Sequence, residues 1–334
     1  MKILQLPTNI AGQQLITTKA LRLLGHESNA LSSEHKFNYE SDITIPYSSN
    51  KLIRQFKKIV FFFKSILEYD IFHYHVGGFL FKNIDVKILK LLNKKIFIEF
   101  WGSEIRLYDI EKKRNKFFVS DNIINQDDKI KRLKFWSSIT DTVIVSDHSM
   151  DVFLEPYFKK IHVIGQRIEI DKYIPHYPNA NNKIPIVVHA PSSKSTKGTK
   201  YVINAIESLK QQGLTFEYIE VFNMSHEEAI EVYKKADIVI DQLLIGSYGI
   251  LACECMALGK PVICYILEEN ILKYGSLPIV NANPETILEV LKSLILSPEK
   301  RYTIGQKSRI YAEQIHDSKV VAKKLIDIYR DEND

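Results

Sequence analysis

Glu254 stands five residues after Gly249 and eight after Gly246, inside a stretch from Ala236 to Ile263 that reads as strand, glycine-bearing loop and helix. Ile238-Val239-Ile240 is a short β-branched run, and Ile250 to Leu258 carries apolar residues at helical spacing until Gly259 and Pro261 stop it. The first N–H groups of such a helix have no intrahelical partner and sit at the positive end of its dipole, which suits a phosphate or diphosphate. A carboxylate about one turn further in, as Glu254 is, can accept both hydroxyls of a ribose. An ordinary βαβ unit with a solvated glutamate gives the same pattern, so both readings stand on spacing alone. A Ser192-Ser193-Lys194 loop entering another helix, with Lys197 behind it, also suits phosphate. Gly12, in the first loop of the chain, would let backbone approach a diphosphate closely. His75 closes a strand beside Gly77 and Gly78, the place of a cleft residue or of a satisfied loop histidine. Trp101 can stack on a sugar or a base but cannot exchange protons. Glu104 and Arg106 follow it, either as site charges or as an ion pair closing their loop.

These residues need a scaffold, and the chain supplies strands and helices in alternation. Lys2 to Leu6 is an opening strand, Pro7 to Gln14 a polar loop, and Thr17 to Leu24 an amphipathic helix closed by Gly25. Asp70 to His75, Lys95 to Phe100 and Asp141 to Ser146 are further strands, while the charge runs Lys112 to Lys116 and Lys129 to Lys134 read as solvated helix faces. Pro175 to Pro185, with an Asn-rich middle, reads as a linker, and Ile186 to Ala190 opens a second series of strands. Ser225 to Glu228 is a capping box for the helix before the central strand, and Pro261 to Tyr265 and Pro278 to Val280 are its last strands. Asn283-Pro284-Glu285 and Ser297-Pro298-Glu299 start helices, and Ser318 to Tyr329 is a terminal one after a break at His316-Asp317. Two series of strands and helices, each with its own glycine-loop start, predict an α/β protein of two doubly wound Rossmann-like domains facing a cleft.

Size and composition agree with two domains of roughly 150 residues each. Hydrophobic residues make up 45% and charged residues 25%, values of an ordinary globular protein, and no apolar run reaches the roughly 18 residues of a membrane span. Met1-Lys2 leads straight into a strand, so no signal peptide is expected. Cys253, Cys255 and Cys264 show no metal-ligand spacing and read as small buried residues in a reducing, cytoplasmic compartment. Residues 1–172 hold 27 Lys/Arg against 20 Asp/Glu and residues 173–334 hold 18 against 20, together the overall +5. The basic excess of the first half suits an anionic lipid surface or a phosphate-bearing acceptor, or is a solvated face. Lys51 to Leu67 sharpens the point. It mixes Arg54, Lys57, Lys58 and Lys64 with Phe56, Phe61, Phe62 and Phe63, as an interfacial helix would, or as a helix with one buried face would.

SYGILACECMALGKPVI, residues 247–263, resembles the donor-binding signature of the retaining glycosyltransferases of family 4, E-x-F-G-x-x-x-x-E-A-M-A-x-G-x-P-V-I. Tyr248, Gly249, Glu254, Met256, Ala257, Gly259, Pro261, Val262 and Ile263 fall on it. Gly246 stands where the family has its first glutamate, and Asp241 and Gln242 are the polar residues that could supply the missing contacts. Lys197-Gly198 resembles the K-G of the family's diphosphate-binding segment, with Ser192 at its arginine position and Lys194 the nearest cation. Trp101 to Arg106 is similar to the family's H-G-S-D-x-R turn, with Trp101 in place of the histidine, and Ile161 to Tyr173 resembles the segment leaving the first domain.

The resemblance implies the B-type fold, with an acceptor-binding domain over 1–172, a donor-binding domain over 173–316 and a terminal helix over 317–334 bracing the first. It implies transfer of a sugar, with retention, from a nucleotide diphosphate sugar to a hydroxyl of a glycan or lipid-linked acceptor, in cell-surface polysaccharide synthesis. Lys197 and Glu104 take the catalytic places. Gly12, Ser192, Ser193, Lys194, Lys197, Asp241, Gln242, Tyr248, Gly249, Ile250 and Glu254 take donor-binding places, and His75, Trp101 and Arg106 acceptor-binding ones. No cofactor and no metal are expected, since the family neutralises its leaving diphosphate with cationic side chains and helix N-termini. The partners expected are the donor, the acceptor and an anionic membrane at its inner face, and no nucleic acid. A non-catalytic nucleotide-sugar binder and a nucleotide-sugar epimerase share the fold and remain as alternatives. A dehydrogenase is disfavoured, since no G-x-G-x-x-G follows either opening strand.

Overall fold

The computed structural model describes residues 1–32, 41–45, 49–119 and 125–331. In chain order the first elements are β1 (Lys2–Leu6), α1 (Gln13–Leu23), β2 (Glu27–Ser32), β3 (Ile43–Thr44), α2 (Lys51–Glu68), β4 (Ile71–His75), α3 (Ile84–Leu91) and β5 (Lys95–Phe100). Then come α4 (Tyr108–Arg114), α5 (Gln126–Ser137), β6 (Thr142–Val145), α6 (Asp151–Leu154) and β7 (Lys160–Val163). The second series is β8 (Ile186–His189), α7 (Lys194–Lys197), α8 (Thr199–Gln211), β9 (Glu217–Glu220), α9 (His226–Lys235), β10 (Ile238–Ile240) and α10 (Ile250–Ala257). It ends with β11 (Val262–Cys264), α11 (Glu268–Ile271), β12 (Val280–Asn281), α12 (Ile287–Ile295), α13 (Pro298–Tyr311) and α14 (Ser318–Asp331).

Two compact units result. One takes the described residues of Met1–Leu107, Asn125–Arg167 and Ser318–Asp334, the other those of Tyr108–Ile124 and Ile168–Asp317. The sequence reading assigned all of 1–172 to the first domain, whereas the α4 segment lies with the second unit: Asn115 donates to the Leu244 carbonyl at 2.8 Å and Arg114 pairs with Glu269 at 2.9 Å.

The first unit is built on a parallel sheet in the order β3-β2-β1-β4-β5-β6-β7. Parallel strands covered on both faces are apolar along most of their length, as β1, β4 and β6 are. Register pairs Gln5 with His73 and His73 with Phe97, and the two-residue period then puts His75 and Glu99 on the same face. That face carries Ile3, Ile71, Phe97 and Ile144 against Ala20 and Leu21 of α1 and Val321, Leu325 and Tyr329 of α14. The terminal helix therefore completes the core of the unit where the chain began. α1 starts earlier than its apolar periodicity shows, because Gly12 at φ 76° serves as N-cap and the buried polar residues Gln13 and Gln14 are already helical. Lys129, read as part of a solvated face, is 7% exposed and donates to the Arg106 carbonyl at 2.7 Å.

The second unit has a parallel sheet in the order β12-β11-β10-β8-β9. Val188, Val239 and Cys264 face α10 and its neighbours on one side, and Val187, Ile238 and Ile240 face α8 and α12 on the other. Six consecutive residues of α10, Ala252 to Ala257, are buried, Cys253 and Cys255 among them, and burial pushes both thiols well up from their ordinary pKa. Small side chains allow this close packing. At Gly305 a Cβ would lie 2.3 Å from the Gly259 carbonyl oxygen, so α13 approaches the end of α10 backbone to backbone.

Strand order decides where a ligand can enter each sheet. Successive strands wind to opposite sides from β8 and β10, and in doubly wound sheets ligands bind beyond the carboxyl ends of the strands at that switch point. His189 is the last residue of β8 and Ile240 of β10, so the loops starting at Ala190 and Asp241 open there. In the first sheet the switch lies between β1 and β4, whose carboxyl ends lead to the Gly12 loop and to His75.

Candidate functional site

At the β8/β10 switch point Asp241 is fully buried and holds two donors. Its Oδ1 accepts from Lys197 Nζ at 2.9 Å and its Oδ2 from the Gly249 N–H at 3.2 Å. Lys197 also donates to Gln242 Oε1 at 2.6 Å, and a Cβ on Gly249 would lie 3.9 Å from its ammonium nitrogen. The ammonium is thus fixed at the N-terminus of α10, where the peptide dipoles already favour an anion. Two of its three N–H bonds are spent on Asp241 and Gln242, which leaves one for a ligand.

Local sequence explains why Lys197 arrives there. Ser193 caps α7 by accepting the Thr196 N–H at 3.4 Å, and Gly198 at φ 79° turns the chain directly into α8. A Cβ at Gly198 would meet Leu244 Cγ at 3.1 Å, so the lysine-glycine pair docks against the loop after β10, and Leu243 N–H donates to the Lys197 carbonyl at 3.1 Å. Ser192 is exposed on this loop. Lys194 is turned elsewhere: it pairs with Glu220 at 2.5 Å and lies over the Phe222 ring at 5.1 Å.

Gly246 has a structural reason to replace the glutamate of the family pattern. Its φ is +82° and a Cβ would stand 2.6 Å from Leu267 Cγ, so no larger side chain fits. Gln242 ties the same loop down through its Nε2–H to the Ser247 carbonyl. Tyr248, expected at the donor, points the other way. It is 5% exposed, packs on Tyr274 with ring centroids 5.4 Å apart, and meets His316 Nε2 at 3.3 Å, so its side chain belongs to the core. Gly249 and Ile250 keep partial exposure at the start of α10.

Glu254 lies one turn into α10 and is 8% exposed. Its Oε1 accepts from Tyr173 Oη at 2.9 Å and from His226 Nε2 at 2.7 Å. Burial first, then the charge and hydrogen bond of Glu254, push the Tyr173 phenol far up. Neither Tyr173 nor His226 was found from the sequence. The available signal was the capping box, which fixes His226 at the first position of α9.

In the first unit, the residues at the β4 and β5 ends form one buried network. Arg167 grips Glu99 with two hydrogen bonds, 2.5 and 2.9 Å, both side chains fully buried. Burial pushes the Glu99 carboxyl up, but the charge of Arg167 together with His73 and His75 outweighs it and brings it to about 2. Trp101 Nε1–H donates to His75 Nδ1 at 3.3 Å, so the imidazole proton sits on Nε2 and goes to Gln5 Oε1 at 2.8 Å. Gln5 Nε2 then donates to Tyr329 Oη at 3.4 Å, that hydroxyl donates to His73 Nδ1 at 2.6 Å, and His73 Nε2–H faces Glu99 at 3.3 Å. Burial lowers the pKa of both imidazoles, His75 the more strongly.

His73, His75 and Glu99 bring atoms of metal-ligating type within 4.8 Å of one another. Glu99 already carries Arg167 on both oxygens, and His75 has both nitrogens engaged, so the cluster is a neutralised ion pair with two neutral imidazoles and fits no cation. His75, expected to touch an acceptor, is fully buried, and what it presents outward is Trp101, stacked on it at 5.9 Å and 22°. Trp101 is partly exposed, with the Arg167 guanidinium 5.2 Å from its ring. Glu104, expected to be catalytic, accepts the backbone N–H groups of Trp101 and Gly102, the latter at 3.2 Å, and so closes its own loop. Arg106 donates to Ser149 Oγ at 3.3 Å, and Gly12 is partly buried, where a Cβ would make ordinary contact with Ile16 Cδ1 at 3.9 Å. Glu99 and Arg167 were missed, although a glutamate inside the apolar strand KIFIEF signals a buried partner.

No protein-family model and no curated protein matches the chain. Among solved structures, sucrose-phosphate synthase from Thermosynechococcus elongatus is similar at 15% identity and a TM-score of 0.65, over 100% of this chain and 99% of that one. WaaG, a glycosyltransferase involved in lipopolysaccharide biosynthesis, is similar at 14% and 0.57, over 99% and 100%. An alpha-glucosyltransferase in complex with UDP is similar at 12% and 0.59, over 98% and 99%. At these identities the likeness establishes architecture: the chain has the α/β fold with two parallel sheets of the B-type, two-Rossmann-domain glycosyltransferases.

Proposed function

We propose that the protein is a retaining glycosyltransferase that moves a sugar from a nucleotide diphosphate sugar to a hydroxyl of a glycan or lipid-linked acceptor, in cell-surface polysaccharide synthesis. The observation that carries the reading is the arrangement at the β8/β10 switch point, with Lys197 fixed at the N-terminus of α10 and Glu254 one turn inside it. In this reading Glu254 takes the donor ribose, while Lys197 and the α10 N-terminus take the diphosphate. The bond from the sugar's anomeric carbon to the phosphate oxygen breaks as the bond to the acceptor oxygen forms on the same face. The acceptor's proton passes to the leaving phosphate. Negative charge on that phosphate grows toward the transition state, so a fixed cation acts more on the chemical step than on binding. No metal is invoked. Trp101, with its indole N–H spent on His75, offers its ring face as an acceptor platform and no proton transfer.

The acceptor surface has its own support. On α2, Leu52, Phe56, Ile59, Phe63 and Leu67 recur at steps of three and four residues and are all exposed, Leu52 at 79% and Leu67 at 89%, while Phe62 and Ser65 turn inward. An apolar stripe on a helix that also carries Lys51, Arg54, Lys57, Lys58 and Lys64 suits an anionic membrane surface, which fits a lipid-linked acceptor at the inner face. Among the described residues no helix is long and apolar enough to cross a membrane.

The test is release of nucleoside diphosphate from candidate donors, UDP-sugars first, with and without acceptor. Lys197→Ala should lose on the order of 100-fold to 1,000-fold in single-turnover rate at saturating donor, with donor affinity changing much less. A rate near that of the parent would remove Lys197 from the mechanism.

A further inference from the structure

Glu254 is held from two sides, and the holding is selective. Tyr173 and His226 both donate to Oε1, at 2.9 and 2.7 Å. One carboxylate oxygen has two lone-pair sites, so Oε1 is filled, and Oε2 has no hydrogen-bond partner among the described residues. A vicinal diol meeting this carboxylate finds one oxygen with both its acceptor sites available, in an orientation it does not have to impose.

Both holding residues are themselves anchored. Tyr173 follows the turn Ile170–Lys172, and its carbonyl accepts from the guanidinium of Arg309, which also donates to the Ala257 carbonyl at 2.7 Å. His226 is the first residue of α9, behind a cap in which Ser225 Oγ accepts the Glu228 N–H at 3.2 Å and Glu228 accepts the Ser225 N–H at 2.8 Å. Its side chain is 60% exposed, whereas that of Glu254 is 10% exposed, so the imidazole is open to solvent and the carboxylate keeps only a small accessible part.

We propose that His226 is a positioning residue whose protonation state sets affinity for a nucleoside diphosphate, the imidazolium holding Glu254 for the ribose and the neutral ring holding it less firmly. The inference rests on the reading of Glu254 as the ribose acceptor. A hydrogen bond from an imidazolium to a carboxylate is charge-assisted and roughly twice as strong as one from a neutral donor, so the carboxylate is better fixed when the ring is charged. The added charge also favours an anionic ligand.

The groups facing His226 agree in sign. Glu254 on α10 and Glu227 on its own helix are acidic, and beyond Glu254 stand Tyr173 and then Glu169. The α9 dipole opposes a cation at this end. The hydrogen bond to Glu254 outweighs burial and raises the imidazole from its ordinary value of 6.5.

Calorimetry with UDP, ADP and GDP from pH 6.0 to 8.5, on the parent, His226→Gln and Glu254→Gln, tests this. Glutamine keeps a donor of similar reach and does not titrate. Parent affinity should fall about three- to tenfold more steeply with rising pH than that of His226→Gln, and the two proteins should converge once the imidazole has lost its proton. Titration of the nucleotide's own phosphate is common to both and drops out of the ratio. By reciprocity, bound nucleotide should raise the pKa of the His226 ring, followed by its imidazole proton resonance, by the logarithm of the same factor, about 0.5 to 1 unit. Parallel pH profiles for the parent and His226→Gln would overturn the inference while leaving the nucleotide reading intact. Unchanged affinity in Glu254→Gln, or equal binding of UDP and 2′-deoxy-UDP, would overturn the ribose assignment and the inference with it.

Discussion

Lys197 and Asp241 are unequal partners: the lysine side chain is 14% exposed and the aspartate not at all. Removing the cation therefore leaves a buried carboxylate with only the Gly249 N–H and no charge to face, so part of any loss in Lys197→Ala is a loss of structure. The two effects separate in a double variant. Lys197→Ala alone should destabilise the second unit by about 3 kcal/mol, the lower end for breaking a buried pair. Lys197→Ala with Asp241→Asn, which removes the stranded charge but keeps an acceptor for Gly249, should recover most of that stability and none of the turnover. Urea unfolding midpoints beside single-turnover rates decide it, and recovery of both together would mean that the pair is structural only. Sequence reasoning named both residues but could not show that they bind each other, because the contact joins the end of one short helix to the end of a strand 44 residues later. For Gly246 the reason for the glycine, a positive φ against Leu267, exists only once the loop is folded. Tyr248 and Glu104 show the opposite limit, since a motif position fixes a residue type while packing fixes which way its side chain points.

The elements were legible wherever period and punctuation agreed. The capping box of α9 and the proline at the start of α13 stand where the sequence puts them, because both signals act within one turn. β2, β9 and the early start of α1 were not anticipated: Glu27–Ser32 and Glu217–Glu220 are polar enough to look like loops, and they are strands because a parallel neighbour takes their backbone bonds. α2 was legible in composition but not in orientation. Its periodicity fits a buried or an interfacial face equally, and only the fold shows that the stripe through Leu52, Phe56 and Phe63 faces outward. If that stripe lies on an anionic bilayer, each nearby cation contributes about 1 kcal/mol at low salt. Lys57→Gln with Lys64→Gln should then weaken partition onto phosphatidylserine vesicles by about 2 kcal/mol, roughly 30-fold, with a shallower salt dependence than the parent. Phe56→Ser with Phe63→Ser should remove the part of binding that persists in high salt. Equal sedimentation of parent and variants with vesicles would exclude α2 as the contact.

At the scale of the molecule, the two units carry different buried charges and should answer acid differently. Two doubly wound sheets were readable from the alternation of strands and helices, but the excursion of α4 into the second unit and the buried network of the first were not, since both depend on contacts between distant segments. That network sets the expectation. His73 and His75 are neutral and buried, with lowered pKa, so below about pH 6.5 the unfolded chain binds protons that the folded unit does not. Stability is then lost as pH falls from 6.5, by up to about 1.4 kcal/mol per pH unit for each imidazole that stays neutral. Glu99, held at about 2, contributes stability that is complete above its unfolded value of 4.5 and disappears between 4.5 and about 2. The second unit has His189, also lowered by burial, but there His226 is raised and works in the opposite direction, its contribution being present below 6.5 and lost as pH rises through the folded value. Acid should therefore open the first unit before the second. Trp101 and Trp136 are the chain's two tryptophans and both lie in the first unit, so tryptophan fluorescence follows that unit while far-ultraviolet circular dichroism follows both. Between pH 7 and 5 the fluorescence-detected urea midpoint should drop faster than the dichroism-detected one, and His75→Gln, which keeps a donor for Gln5 but does not titrate, should flatten the fluorescence dependence by up to about 1.4 kcal/mol per pH unit. Coincident transitions across that range, or a His75→Gln slope equal to the parent's, would mean that the buried imidazoles do not control the acid stability of the first unit.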